Sequence, residues 1–249
     1  MAATGKGKAK RPGKSAARKA PAARRTSRKQ RSTQSPLPDN IALVLQGGGA
    51  LGAYLVGVYQ GLHEAGIVPN WIAGISIGAF NTALIAGNPP ERRLDALREF
   101  WETISQPYLL PATTLGQESF LTGMGAEARG WLDAWEAWRA MVEGQRGFYQ
   151  PRSWFGEDPF TAPGPTRASW YTTQPMIETL ERMVDFDRLN DGPMRLSVGA
   201  VDVQSGNFTY FDTEHQRIGP EHIMASGALP PGFPAIEIGG RHYWDGGLG

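Results

Sequence analysis

The chain has 249 residues, 41% of them hydrophobic, enough for one large domain or two small ones with a sizeable core. It has no cysteine, which excludes disulfides, thiolate nucleophiles and cysteine-based zinc sites. The net charge of +1 conceals an asymmetry: residues 1–38 hold 12 of the 25 basic residues and no acid, leaving 13, all Arg, against all 24 acidic residues in 39–249.

The basic stretch has no large apolar residue between Met1 and Leu37. Such a composition buries too little surface to offset the entropy lost on ordering, so residues 1–38 read as a disordered tail. The tail lacks the apolar centre of a secretory signal. No run of 18 apolar residues occurs in the chain, so no segment reads as a bilayer-crossing helix.

The body, 39–249, opens with "IALVLQ" (Ile41–Gln46), a continuous apolar run of the kind found in a buried parallel strand. "GGGALG" follows, then Leu51, Leu55, Val58 and Leu62 at helical spacing, with Gly66 as the stop. "WIAGI" reads as a second strand, Ile77–Ala86 as a small-residue helix, and Glu91–Ser105 as an amphipathic helix with Leu94, Leu97, Trp101 and Ile104 on one face. Strands alternating with helices predict an α/β fold with a parallel sheet. Residues 106–170 break the rhythm. Within them Trp131, Trp135 and Trp138 lie at i, i+4 and i+7 of a predicted helix, either a core-facing stripe or a lid or lipid-contacting face. Thr173 is the predicted N-cap of helix Gln174–Met183. "RLSVGAVDV" and "NFTYFDT" read as strands joined by a tight turn, "PEHIMASGA" as a short helix, and "AIEI" and "RHYW" as strands either side of Gly239 and Gly240. The last residues are "DGGLG".

Gly47, Gly49 and Gly52 satisfy the Gly-x-Gly-x-x-Gly pattern of a dinucleotide site. That reading needs an acid at the end of the next strand, and "WIAGIS" ends in Ser76. No Gly-Lys-Ser/Thr follows the glycines either, which excludes a Walker loop. Three consecutive glycines instead leave bare backbone N–H groups at a helix N-terminus, as an oxyanion hole requires. In "GISIG", Gly74 and Gly78 relieve crowding where a strand turns abruptly into a helix. Ser76 is then left at the tip as a candidate nucleophile.

An α/β-hydrolase would activate this serine with a later histidine. His63 falls on the first helix, His215 after an acidic hairpin and His222 on a short helix. His242, the best placed, is turned away from Asp245 by strand alternation. Asp245 ends a strand, and Gly246 and Gly247 permit a sharp turn after it. Its carboxylate is either a direct proton acceptor for Ser76 or simply a turn aspartate.

"GGGALGAY", "GISIG" and "DGG", in this order, resemble the patatin-like phospholipases over about residues 41–249. The resemblance implies a three-layer α/β/α fold with a mainly parallel central sheet. It implies a Ser76–Asp245 dyad without a catalytic histidine, an oxyanion hole from Gly47, Gly48 and Gly49, and no metal or other cofactor. The implied substrate is a lipid carboxylic ester, most of all a phospholipid. Relatives often carry Arg or Lys where this chain has Leu51. The family's catalytic domain also continues well beyond its "DGG", so the expectation is a C-terminally truncated member with a loosely held Asp245 and apolar surface exposed on the sheet. The expected setting is cytoplasmic and peripheral to the membrane, with residues 1–38 docking the acidic body onto anionic surfaces. Nucleic acid is not an expected partner of such an enzyme, and the sequence carries no signal for an oligomeric state. The rival reading is a non-catalytic binding protein that uses its basic segment on nucleic acid or anionic surfaces.

Overall fold

The computed structural model describes residues 37–105, 147–152 and 164–249. The basic segment before Leu37 and the Trp131, Trp135 and Trp138 stripe lie outside these residues. Strands β1 (Ala42–Leu45), β2 (Trp71–Ile75) and β5 (Arg195–Asp202) are adjacent and parallel. The strands β6 (Phe208–Asp212), β7 (Ile236–Ile238) and β8 (Arg241–Asp245) complete the sheet in antiparallel pairings. A separate two-stranded ribbon pairs β3 (Gln150–Pro151) with β4 (Tyr171–Thr172).

Local chemistry makes the two hairpins. Between β5 and β6, the Asp202 carboxylate accepts the Gln204 and Ser205 amides, and Gly206 takes φ 70°. Between β7 and β8, Gly239 and Gly240 take φ 58° and 77°, which the tight hairpin turn demands and glycine supplies without strain.

The helices are α1 (Tyr54–Glu64), α2 (Ile77–Ala86), α3 (Arg93–Ser105), α4 (Gln174–Met183), α5 (Phe186–Asp191) and α6 (Pro220–Ser226). Every residue of α2 is buried, which explains why its sequence is apolar or small on all sides. It packs on β2 and β5 and beneath α3 and α6. The right-handed rule for parallel crossovers predicts α1 and α2 on the same side of the sheet, and the two helices are in contact, sharing the core with Leu45, Ile72, Leu196, Val198 and Phe211. Each such side chain contributes roughly 1.5–3 kcal/mol on burial. On the other side of the sheet Val44, Trp71, Phe208 and Tyr210 are exposed.

Three local expectations are corrected. The first helix is preceded by a 3-10 turn, Gly49–Ala53, so Leu51 leaves the apolar stripe and is 78% exposed, while Tyr59 supplies the buried contact. Helix α3 starts at Arg93, and its buried row is Ala96, Leu97, Phe100 and Ile104. Trp101 sits at the edge of that row because its Nε1–H donates to Asn81 Oδ1 at 3.0 Å. Thr173 does precede α4, but its carbonyl rather than its hydroxyl serves the first turn, accepting the Met176 amide.

Candidate active site

Ser76 follows the last residue of β2 and caps α2 with φ 55° and ψ −132°. Among the described residues it is the one non-glycine residue with positive φ. Holding an L residue there costs about 1–3 kcal/mol, so the surroundings must dictate it. They do so through backbone contacts that only glycine permits. A Cβ on Gly74 would lie 2.6 Å from the carbonyl carbon and oxygen of Gly78. A Cβ on Gly78 would overlap the Leu45 carbonyl oxygen and stand 2.8 Å from that of Gln46. The end of β2, the start of α2 and the end of β1 are thereby pressed together. Gly52 seats the next layer, since a Cβ there would lie 2.7 Å from Ile77 Cγ2 and 2.9 Å from the Trp101 ring.

The same crowding brings the glycine loop to the serine. A Cβ on Gly47 would be 2.8 Å from Ser76 Cβ, and Gly48 and Gly49 take φ 138° and 56°. Gln46, Gly47, Gly48 and Gly49 form one wall of an open cleft of about 920 Å³. Ile75, Phe208, Tyr210 and Leu229 supply its apolar side, and Ser76 and Asp245 lie at its floor.

The register of one strand explains how Asp245, 169 residues away, reaches Ser76. Along β5, Gly199 pairs with Ile75 of β2, and the next residue, Ala200, pairs with Asp245 of β8. Strand β6 occupies the opposite edge of β5 from Ser197 to Val201. Strands β2 and β8 therefore share one edge of β5 and meet there end to end, each at its C-terminus. Ser76 Oγ donates to Asp245 Oδ2 at 2.7 Å, and Asp245 Oδ1 accepts the Gly247 amide at 2.7 Å. The Asp245 amide donates to the Ala228 carbonyl at 3.0 Å. Gly246 lies so close to Gly199 that a Cβ would be 2.5 Å from its carbonyl oxygen. A loosely held carboxylate is thus not what the structure contains: pairing, amide and carbonyl all fix it. Asp245 is 4% exposed. Burial pushes its carboxyl above the usual aspartate range, against the opposing pull of the hydrogen bonds from Gly247 and Ser76.

No histidine among the described residues bonds to either side chain. His222 Nδ1 accepts the Gly219 amide at 2.9 Å, and burial drives its pKa down. His242 faces Glu237 across 3.9 Å. His63 lies beside Tyr59 on α1, and the His215 amide closes the turn after β6 on the Asp212 carbonyl. No cluster of three or more metal-ligating side chains occurs among the described residues.

One participant was not legible in the sequence. Ser226, fully buried at the end of α6, accepts the Ser76 amide on its Oγ at 2.9 Å and donates to the Gly199 carbonyl at 2.6 Å. Only the fold relates positions 76, 199 and 226. A serine closing a seven-residue helix gives no signal of its own.

A serine at a forced strand-to-helix turn, beside a glycine loop and a buried carboxylate, on a mixed α/β sheet, defines a serine-elbow protein of the α/β class. The family model for patatin-like phospholipases matches residues 43–249, and the chain belongs to that family. Triacylglycerol lipase ptl3 of Schizosaccharomyces pombe is 44% identical over 61 residues, which is 24% of this chain and 13% of that protein. Patatin-like phospholipase domain-containing protein 6 of Homo sapiens is 38% identical over 77 residues, 31% of this chain and 6% of that protein. The chain therefore spans a small part of the length of these curated relatives. Among solved structures, VipD from Legionella pneumophila aligns with a TM-score of 0.42 at 16% identity, covering 84% of this chain and 46% of that one.

Proposed function

We propose that the chain is a serine acyl hydrolase that cleaves carboxylic esters of lipids, phospholipids foremost, with Ser76 as nucleophile and Asp245 as its base. The observation that carries this reading is the 2.7 Å hydrogen bond from Ser76 Oγ to a buried carboxylate, made at a backbone conformation held against strain. That distance lies within the reach of about 2.6–3.2 Å that direct proton transfer needs.

In the first half-reaction Ser76 Oγ attacks the ester carbonyl carbon as its proton passes to Asp245 Oδ2. The carbonyl oxygen becomes an oxyanion, which the amides of the Gly47–Gly49 loop and the N-terminus of α2 stabilise. Collapse breaks the ester C–O bond, and the alcohol leaves with the proton from Asp245. Water then repeats the sequence on the acyl-serine, giving a fatty acid and free Ser76. Another acceptor alcohol in place of water would make the same site an acyltransferase. The raised carboxyl pKa suits this role, because a more basic carboxylate takes a hydroxyl proton more readily. The apolar side of the cleft, Ile75, Phe208, Tyr210 and Leu229, suits an acyl chain. The names of the lipase and phospholipase relatives point to the same substrate class.

We extend the reading to residues 1–38, a tail that docks the acidic body onto anionic lipid surfaces. The support is its 12 basic residues with no acid. The experiment that tests the core reading is turnover of p-nitrophenyl butyrate by the wild type and by Ser76→Ala. The wild type is expected to hydrolyse the ester, and Ser76→Ala to fall to background with its melting temperature unchanged. A Ser76→Ala rate above a few per cent of wild type would remove Ser76 as nucleophile.

A further inference from the structure

The Ser76 amide and the Asp245 amide are both anchored to a single three-residue segment. Ser226 Oγ accepts the Ser76 amide at 2.9 Å, and two residues later the Ala228 carbonyl accepts the Asp245 amide at 3.0 Å. The residue between them, Gly227, lies against α2, where a Cβ would stand 2.6 Å from the Phe80 ring. The segment is therefore seated on the helix that Ser76 begins. Ser226 also donates to the Gly199 carbonyl at 2.6 Å, at the point on β5 where β2 gives way to β8. One buried hydroxyl thus links the strained elbow to the strand whose register sets Asp245.

We propose that Ser226–Gly227–Ala228 is the positioning element of the dyad, a jig that holds the elbow backbone in its positive-φ conformation and sets the Ser76–Asp245 separation. The segment's hydrogen bonds to the dyad go to the backbone amides of Ser76 and Asp245 rather than to the Ser76 hydroxyl or the Asp245 carboxylate, so it acts through the two residues. The inference rests on the hydrolase reading for its kinetic consequence, while its geometric consequence stands apart from any activity. The chemical logic is that the Ser76 amide, one residue past the last pair of β2 with β5, donates to the Ser226 hydroxyl, which in turn donates to the Gly199 carbonyl of β5. An amide in that position needs a side-chain acceptor, and without one the elbow can relax from φ 55° towards ordinary values. Relaxation swings Oγ away from Oδ2, and misplacement of a reacting group by about 1 Å costs on the order of a hundredfold in rate.

The test is Ser226→Ala beside Thr179→Val in the full chain. Thr179 is a control of the same kind: it is buried on α4, and its hydroxyl donates to the Gly147 and Pro175 carbonyls and not to the dyad or to Ser226–Ala228. Three quantities are read for each: melting temperature, kcat and KM on a soluble ester, and exchange protection of the Ser76 amide. Ser226→Ala is expected to lower kcat at least tenfold with KM within twofold and to lose the Ser76 protection. Thr179→Val is expected to lower the melting temperature while keeping kcat and the protection. Three outcomes would each overturn the proposal: kcat of Ser226→Ala within twofold of wild type, undiminished Ser76 protection in it, or an equal kcat loss in Thr179→Val. If the wild type proves inert towards esters, the hydrolase reading fails, and the jig is still decided by Ser76 protection and by the Ser76–Asp245 distance in a crystal structure of Ser226→Ala.

Discussion

Alanine at Gly78 should unfold the elbow from the inside. The added Cβ would overlap the Leu45 carbonyl oxygen, lie 2.7 Å from its carbon and 2.8 Å from the Gln46 carbonyl oxygen. All three are backbone atoms, so no rotamer change relieves the contact, and β1 must separate from α2. Overpacking of this kind costs about 1–3 kcal/mol, and the upper figure applies where the backbone itself must move. In a domain of this size each kcal/mol corresponds to about 2–4 °C, so Gly78→Ala should melt about 6–12 °C below wild type. Ester turnover should fall with it, because the displaced Leu45–Gln46 segment leads directly into Gly47. Gly57 is the contrast: it lies inside α1 with nothing within 4 Å of an added Cβ. Gly57→Ala should gain about 0.5–1 kcal/mol of helix propensity and leave turnover unchanged. The assay is thermal unfolding followed by circular dichroism on the three proteins side by side. A Gly78→Ala protein melting within about 2 °C of wild type would refute the claim that backbone-to-backbone contact builds the elbow.

Asp245 must be ionised to accept the Ser76 proton, so activity should be lost as pH falls through a pKa above the ordinary aspartate value of about 3.9; an acid limb at or below that value would contradict the burial described here. Because the folded state raises this pKa, the proton is held more tightly in the fold. The favourable contribution is then present at low pH and lost as pH rises through the folded pKa. Asp245→Asn should accordingly be nearly inactive yet at least as stable as wild type at neutral pH, as a melting scan beside a rate measurement would show. Gln at His63, His215, His222 or His242 should leave kcat within a few-fold of wild type; one such variant as inactive as Asp245→Asn would replace the dyad with a triad. Deleting residues 1–38 should weaken binding to anionic vesicles in a salt-sensitive way, at on the order of 1 kcal/mol per basic residue engaged, while sparing soluble-ester turnover; equal vesicle binding by both chains would dismiss the tail as a docking element.

The parts of the fold legible in the sequence were those decided by local chemistry. The helix at Ile77–Ala86, the helix at Gln174–Met183 and both hairpins were expected where they stand, because apolar runs, helix-flanking residues and paired glycines act over a few residues. Gly74 and Gly78 of "GISIG" could be read as relieving crowding at the turn, and the structure gives both specific backbone neighbours to avoid. What escaped the sequence depends on separation along the chain. The 3-10 turn that exposes Leu51 follows from how Gly49–Ala53 must pass Ile77 and Trp101. Ser226 meets Ser76 across 150 residues, through a register that no local pattern encodes. The anchoring of Asp245 escaped for the same reason, because its amide partner, Ala228, lies in the loop after α6.

The most direct measurement of the central claim is a crystal structure of the protein after reaction with a fluorophosphonate ester. The expected result is phosphorus bonded to Ser76 Oγ, a phosphoryl oxygen within about 2.7–3.1 Å of amides in the Gly47–Gly49 loop, and Asp245 beside the modified serine. Phosphorus on another residue, or a phosphoryl oxygen turned away from that loop, would contradict it.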